Sequence, residues 1–270
     1  MQQHHLGSSP SQHQDYLATP GTQGGEQLLD EFRKSILAIS GDVRLLWLPK
    51  ITNTTTTTDS SLNARTFTYD ATIASRVAAL GSGVTVDFDG TDDEADVPDA
   101  ENLSFGNSTV DEALSIVMLC KPDANNAAYS LLAKENSSSA EEWNFGLNSS
   151  GHLIMTLTDE SATATIIGTY ATAVGTSWVL LGSTYDGSRA STGISNYANG
   201  AAVTTAASGA GTYVAMENTA ALVHLGARYT TKAQFFNGNI AFAVLVAGAL
   251  NQHQHWAIKT AVNGFFDLAL

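Results

Sequence analysis

The densest set of potential metal ligands is an acidic segment with seven carboxylates between positions 87 and 99. A calcium ion takes about six to eight oxygen ligands, and closely spaced carboxylates on a turn can supply several of them. The segment does not follow the sequence pattern of a helix–loop–helix calcium loop. Counted from Asp87, Gly90 is its fourth residue and Pro98 its twelfth. A solvated acidic turn is the alternative interpretation. The candidate calcium ligands are Asp87, Asp89, Asp92 and Asp93.

The same carboxylates bear on glycosidase chemistry, which needs two acidic side chains about 5 Å apart in retaining enzymes. Asp87, Asp89 and Asp92 are close enough in the sequence to supply such a pair from one strand, but Gly90 would break a strand that carried all three. Nucleophilic catalysis is not indicated either, because Gly-x-Ser-x-Gly is missing and Cys120 lies in an apolar run that predicts burial. We therefore expect no enzymatic activity, and no cofactor other than the candidate calcium.

Four tyrosines near predicted strand ends are candidate platforms for sugar stacking, because a tyrosine ring combines an apolar face with a polar tip. The alternative is that most of them complete the core or a subunit contact. The candidate ligand-binding residues are Tyr185, Tyr197, Tyr213 and Tyr229.

The composition limits the class of partner. The formal net charge is −14 with only 12 lysines and arginines, so neutralisation of a nucleic acid backbone is not expected. One cysteine allows no internal disulfide. Residues 1–25 lack the basic start and apolar stretch of a signal peptide, and no apolar run approaches the ~20 residues that span a bilayer. We expect synthesis in the cytoplasm and no membrane insertion.

The first 41 residues differ from the rest. Residues 1–25 are polar and predict an arm that cannot order itself, whereas Glu26 to Ile39 has apolar residues at helical spacing and ends before Gly41. This helix is expected to dock onto the following domain or onto a partner. We therefore divide the chain into an anchoring segment, 1–41, and a β-rich domain, 42–270. The candidate assembly residues are Leu28, Leu29, Phe32 and Ile36.

Alternation of apolar and polar residues predicts strands through most of the second segment. Trp143 to Leu147 and His152 to Thr158 form a predicted hairpin, Trp178 to Tyr185 a central strand, and Gln252 to Val262 a final helix capped by Asn251 and ended by Gly264. Thr66 to Leu80 fits strand or helix. The residues predicted to face the interior are Trp47, Phe88, Val117, Leu119, Phe145, Leu147, Leu153, Met155, Trp178, Leu180 and Ile240.

Six short motifs between about Val84 and Phe266 stand in the order used by laminin-G-like, concanavalin A-like jelly-roll domains, and the chain resembles that family. Two positions depart from it, since Ala241 and Glu94 replace an acidic and an aromatic residue. The motifs are Phe88-Asp89-Gly90, Leu114 to Pro122, Leu131-Leu132-Ala133-Lys134, Tyr185-Asp186-Gly187 with Tyr197-Ala198-Asn199-Gly200, Leu225-Gly226 with Phe236-Asn237-Gly238-Asn239-Ile240, and Leu250-Asn251-Gln252.

The resemblance implies an all-β fold: a two-sheet antiparallel jelly-roll sandwich with an N-terminal arm and helix and a short C-terminal helix. Such domains occur in bacterial surface proteins and bacteriophage particles. We expect a non-enzymatic virion structural protein, a capsid decoration or tail-associated protein that binds capsid or tail subunits through its arm and forms a homo-oligomer. The alternative is a carbohydrate-binding adhesin that recognises a host-surface glycan with the loop end of the jelly roll.

Overall fold

The structure is a computed structural model that describes residues 23–50, 55–70, 76–136, 140–228 and 234–270. Within these ranges the chain forms two α-helices and a series of strands. The helices are α1 (Gln23–Ser40) and α2 (Gln252–Phe266). The strands are β1 (Asp42–Trp47), β2 (Thr56–Thr58), β3 (Thr66–Tyr69), β4 (Val77–Leu80), β5 (Gly83–Asp89), β6 (Ala95–Val97), β7 (Leu114–Pro122), β8 (Tyr129–Glu135), β9 (Glu141–Leu147), β10 (His152–Asp159), β11 (Ala164–Ala173), β12 (Val179–Tyr185), β13 (Ile194–Ala198), β14 (Ala201–Ala202), β15 (Thr205–Ala210), β16 (Val223–Leu225) and β17 (Asn237–Ala247).

The strands form two antiparallel sheets. Sheet A has the order β14-β13-β12-β7-β17-β5-β4, with β1 also paired to β17, and sheet B has the order β15-β11-β10-β9-β8-β16-β6-β3-β2. Strands distant in sequence lie side by side, as β7 and β17 do in sheet A. This arrangement confirms the predicted jelly-roll sandwich with one helix at each end of the chain.

The main core lies between the two sheets. Side chains from alternate positions of β9 and β10 enter it, because successive strand residues point to opposite faces. Cys120 is buried in the same core, as predicted. The interior positions confirmed by this core are Trp47, Phe88, Phe145, Leu147, Leu153, Met155 and Ile240.

A second core lies on the outer face of sheet A, beneath α1 and α2. It corrects part of the predicted interior, because Val117, Leu119 and Leu180 are buried there and not between the sheets, and Trp178 packs against the same cluster. Their neighbours Ile116 and Met118 face the sandwich instead. These strands are apolar on both faces. Their sequence therefore predicts that they are buried, but not which side chains face the other sheet and which face the helices.

Helix α1 contributes to this second core. Phe32 and Ile36 are buried in it, and Leu28 and Leu29 pack at its edge. The Phe32 ring stacks on Phe265 of α2 with centroids 4.5 Å apart. The prediction that Phe32 and Ile36 make assembly contacts is therefore corrected, because their own chain covers them. Leu28 and Leu29 are partly exposed, and for them the assembly contact stays a prediction. The predicted arm lies almost wholly outside the described residues.

Helix α2 begins as predicted. Asn251 and Gln254 form a capping box in which each side chain bonds the other's backbone N–H. The prediction that the helix ends at Gly264 is wrong, since it continues to Phe266, whose ring is buried beside α1. Neither helix is long and apolar enough to span a bilayer.

Candidate functional site

The acidic turn after β5 brings three of the four candidate calcium ligands together. Carboxylate oxygens of Asp89, Asp92 and Asp93 lie within 4.8 Å of one another, and Asp87 is not part of this group. Arg76 forms ion pairs with Asp93 at 2.7 Å and Asp89 at 3.0 Å. The Asp89 and Asp93 carboxylates thus already neutralise a guanidinium within the fold.

Backbone hydrogen bonds close the same turn. Asp93 Oδ2 accepts from the Asp89 N–H at 2.8 Å, and Asp89 Oδ1 accepts from the Thr91 N–H at 2.8 Å. Burial would raise the pKa of Asp89, but the Thr91 N–H and the Arg76 guanidinium outweigh it and lower the pKa. Burial and then the charge of Asp123 raise the pKa of Asp87. The turn is thus internally bonded and partly buried, since Asp93 has no exposed surface, and the calcium site stays a prediction.

Two of the candidate sugar-stacking tyrosines converge on one carboxylate. Tyr185 donates to Asp111 Oδ2 at 2.6 Å, Tyr213 donates to the same oxygen at 2.8 Å, and the Met216 N–H donates to Oδ1 at 2.8 Å. Burial raises the pKa of Asp111, and these hydrogen bonds oppose the shift. Asp111 therefore ties its own loop to the end of β12 and to the segment between β15 and β16.

Burial corrects two of these tyrosine assignments. Tyr185 is fully buried, and Tyr197 is 8% exposed and stacks on His255 with ring centroids 3.7 Å apart. Neither ring face is open to a sugar in this conformation. Tyr213 is partly exposed, and Tyr229 lies outside the described residues.

A polar cavity of about 400 Å³, here called the loop-end pocket, opens at the same end of the sandwich as Asp111. Arg44 comes from the start of β1, Glu112 from just before β7, and the remaining lining residues from the short helical turn after β6. Arg44 donates to the Asn102 carbonyl at 3.3 Å, and the Arg65 guanidinium bonds the Asn102 side chain. The lining residues are Arg44, Glu101, Asn102, Ser104 and Glu112.

A buried ion pair is connected to this pocket. Lys134 has no exposed side-chain surface and lies 2.7 Å from Glu142 and 3.0 Å from Asp99. Ser104 of the pocket donates to Glu142 at 3.1 Å, so the pocket is joined to the ion pair by a hydrogen bond. Because buried charges require fixed partners, this network holds the turn that carries Ser104 in one position.

The loop-end pocket was not predicted from the sequence. Its lining residues come from three separate stretches, at position 44, at 101–104 and at 112. Only the strand order, which places β1 and β7 on either side of β17, brings them together.

A second polar cluster lies on the outer face of sheet B. His224 of β16 stands opposite Asp96 of β6 in the strand register, and Glu94 precedes the same strand. The Nδ1 atom of His224 lies 2.6 Å from Asp96 Oδ1 and 3.3 Å from Glu94 Oε2. Burial would lower the pKa of His224, but the two carboxylates outweigh it and raise the pKa to about 9.

Comparison with known families gives a match over most of the sandwich. Residues 89–254 match the laminin-G-like model described as the concanavalin A-like lectin/glucanases superfamily. No curated protein sequence matches the chain.

Several solved structures share the fold at low sequence identity. The binding domain of Paraclostridial Mosquitocidal Protein 1 is 12% identical, with a TM-score of 0.61 over 82% of this chain and 52% of that one. A botulinum neurotoxin type C structure, described as entering cells through two ganglioside molecules, is 16% identical, with a TM-score of 0.59 over 84% of this chain and 53% of that one. This chain therefore spans about half the length of either toxin structure.

Another similar structure is matched by this chain over almost its whole length. Domain 4 of AbnA, a GH43 extracellular arabinanase from Geobacillus stearothermophilus, was solved in complex with arabinotriose. It is 16% identical, with a TM-score of 0.56 over 82% of this chain and 99% of that domain.

Proposed function

Because the chain belongs to the concanavalin A-like lectin/glucanase superfamily, we propose that it is a non-catalytic carbohydrate-binding domain whose binding site is the loop-end pocket. The observation that carries the proposal is the chemistry of the pocket lining. It combines two carboxylates, an amide, a hydroxyl and a guanidinium within one open cavity. A sugar hydroxyl both donates and accepts hydrogen bonds, and carboxylates, amides and guanidinium groups supply the complementary partners in fixed planes.

The size and rigidity of the pocket suit a short saccharide. Its volume of about 400 Å³ lies within the usual range for small-molecule sites. The Arg44 and Arg65 contacts hold Asn102, and the Lys134 network holds Ser104, before any ligand arrives. Fixed polar groups reduce the entropy lost on binding.

The similar structures support the class of ligand without fixing its identity. The arabinanase domain, which this chain matches over almost its whole length, was solved with arabinotriose, and the neurotoxin is described as interacting with gangliosides. Both ligands contain carbohydrate, and the arabinanase domain is one part of a larger enzyme. These comparisons favour the carbohydrate-binding alternative over the virion structural role.

A glycan array followed by calorimetry tests the proposal. We expect binding of a neutral oligosaccharide to weaken at least tenfold, about 1.4 kcal/mol, when Glu101 and Glu112 are both changed to alanine. Both side chains are exposed, so the double variant is expected to retain its stability.

The control is Asp92→Ala, which removes an exposed carboxylate at the opposite end of the sandwich and is expected to leave affinity unchanged. Absence of glycan binding, or equal binding by both variants, would contradict the proposal. Release of reducing sugar from the bound glycan would contradict its non-catalytic part.

We also keep the virion role as a proposal, supported by the low charged fraction of 14% and the polar N-terminal segment. A cryo-EM map of the native assembly that traces residues 1–40 tests it. Density from residues 1–22 in a neighbouring subunit would support anchoring. Contacts of these residues with their own domain alone would contradict it.

A further inference from the structure

The outer face of sheet B holds a buried histidine, His224, in ion-pair contact with two carboxylates, Asp96 and Glu94. His224 is 1% exposed, and neither of its ring nitrogens forms a hydrogen bond within the described part of the chain. Asp96 Oδ1 is also buried without a hydrogen bond, although it lies only 2.6 Å from His224 Nδ1. The ring nitrogen and the carboxylate oxygens therefore lie around one small volume.

We propose that Glu94, Asp96 and His224 bind a divalent first-row transition-metal ion such as zinc. One oxygen from each carboxylate and one ring nitrogen lie within 4.8 Å of one another, so a single ion can reach all three. A nitrogen and two carboxylate oxygens form a donor set that suits zinc and its neighbours, whereas calcium prefers oxygen ligands alone. This site is separate from the loop-end pocket and does not depend on glycan binding.

The distances require only a small adjustment. Zinc binds nitrogen and oxygen at about 2.1 Å, which separates neighbouring ligand atoms by roughly 3 to 3.4 Å. The His224–Glu94 separation of 3.3 Å already fits. Asp96 must move by about 0.5 Å to open its 2.6 Å contact, and its side chain, which is 32% exposed, has room to do so.

The position of the cluster gives the metal a structural role. Glu94 and Asp96 belong to β6 and its entry, and His224 belongs to β16, the neighbouring strand. A bound ion would cross-link these two strands, each of which has only three residues. Three protein ligands also leave coordination positions for water.

Zinc titration of chelator-treated full-length protein tests the site. The background carries His4→Ala, His5→Ala and His13→Ala, because these N-terminal histidines could bind zinc themselves. Calorimetry is expected to show one equivalent of zinc with micromolar or tighter affinity, and cobalt is expected to give the visible absorption of a protein-bound ion. Zinc should raise the melting temperature, and calcium should not compete.

Variants assign the binding to these ligands. His224→Gln and Asp96→Asn are expected to weaken zinc binding at least tenfold and to remove the thermal shift. The control is His152→Gln, whose ring already contacts the Tyr170 carbonyl and which should bind zinc like the parent protein. If His224→Gln fails to fold, the zinc affinity of Asp96→Asn tests the site. That variant is expected to fold because the Asp96 side chain is partly exposed.

Two outcomes overturn the proposal. Absence of stoichiometric zinc binding would leave the cluster as a protonated histidine paired with two carboxylates. Equal binding by the parent, Asp96→Asn and His152→Gln proteins would place the ion elsewhere, for example on the acidic turn.

Discussion

At the scale of single residues, burial decides which polar side chain is charged. His255 of α2 faces sheet A, where its ring stacks on Tyr197 and its Nε2 atom is 3.1 Å from the Thr184 hydroxyl. Tyr197 is the titratable group that faces it from β13, and its own pKa is raised by burial. Burial lowers the pKa of His255 to about 4. The ring is therefore neutral in the folded protein at neutral pH.

This lowered pKa predicts a loss of stability in acid. The unfolded chain protonates His255 near pH 6.5, whereas the folded chain does so near pH 4. The contribution is thus complete above about pH 6.5 and falls as the pH drops toward 4, by about 3 kcal/mol of unfolding free energy. Urea denaturation across this range, compared with His255→Gln, measures it. Parallel curves for the two proteins would contradict the prediction.

Asp111 is a second residue whose role follows from its partners. Asp111→Ala removes the acceptor of two tyrosine hydroxyls and one backbone N–H, and leaves the fully buried Tyr185 without that acceptor. We expect a loss of about 2 to 4 kcal/mol of unfolding free energy. Glu112→Ala, the exposed neighbour, is the control in the same denaturation experiment. Equal stability of the two variants would show that Asp111 does not hold the end of β12 and the segment between β15 and β16 together.

At the scale of elements, the sequence predicts the orientation of a strand when one face is apolar and the other is polar or small. Trp143, Phe145 and Leu147 alternate with polar or small residues, so β9 and its inner face were predicted correctly. The continuous apolar run of β7 predicted burial but not that its outer face packs under two helices. The loop-end pocket could not be predicted either, since its chemistry depends on residues that only the strand order brings together.

The packing of α1 gives the element-scale prediction. Phe32→Ala removes a ring that stacks on Phe265 and meets Phe242 and Phe266 edge to face. We expect a loss of about 3 to 5 kcal/mol, because the truncation removes a buried ring and leaves a cavity beside these three rings. Lys34→Ala, on the exposed side of the same helix, should change stability by less than about 0.5 kcal/mol. A neutral Phe32→Ala would show that α1 leaves this surface in solution, where it could serve assembly after all.

At the scale of the whole molecule, charge sets which glycans can approach. The net charge of −14 produces a negative field that repels anionic sugars such as sialylated or uronic-acid glycans. At about 10 mM salt this field extends roughly 30 Å, and at about 150 mM it is screened within about 8 Å. The arginines at the loop-end pocket, Arg44 and Arg65, act against it only at short range.

We therefore expect a neutral oligosaccharide to bind with the same affinity at both salt concentrations, whereas an anionic oligosaccharide of equal length binds more tightly at the higher one. Calorimetry on the pair at about 10 and 150 mM sodium chloride measures the difference. Lys50→Gln removes a positive charge at a position distant from the loop-end pocket and makes the net charge more negative. It should therefore slightly increase the difference between the affinities for the anionic oligosaccharide at the two salt concentrations. Tighter binding of the anionic sugar at low salt would mean that the arginines control the local potential, and the preferred ligand would then be an acidic glycan.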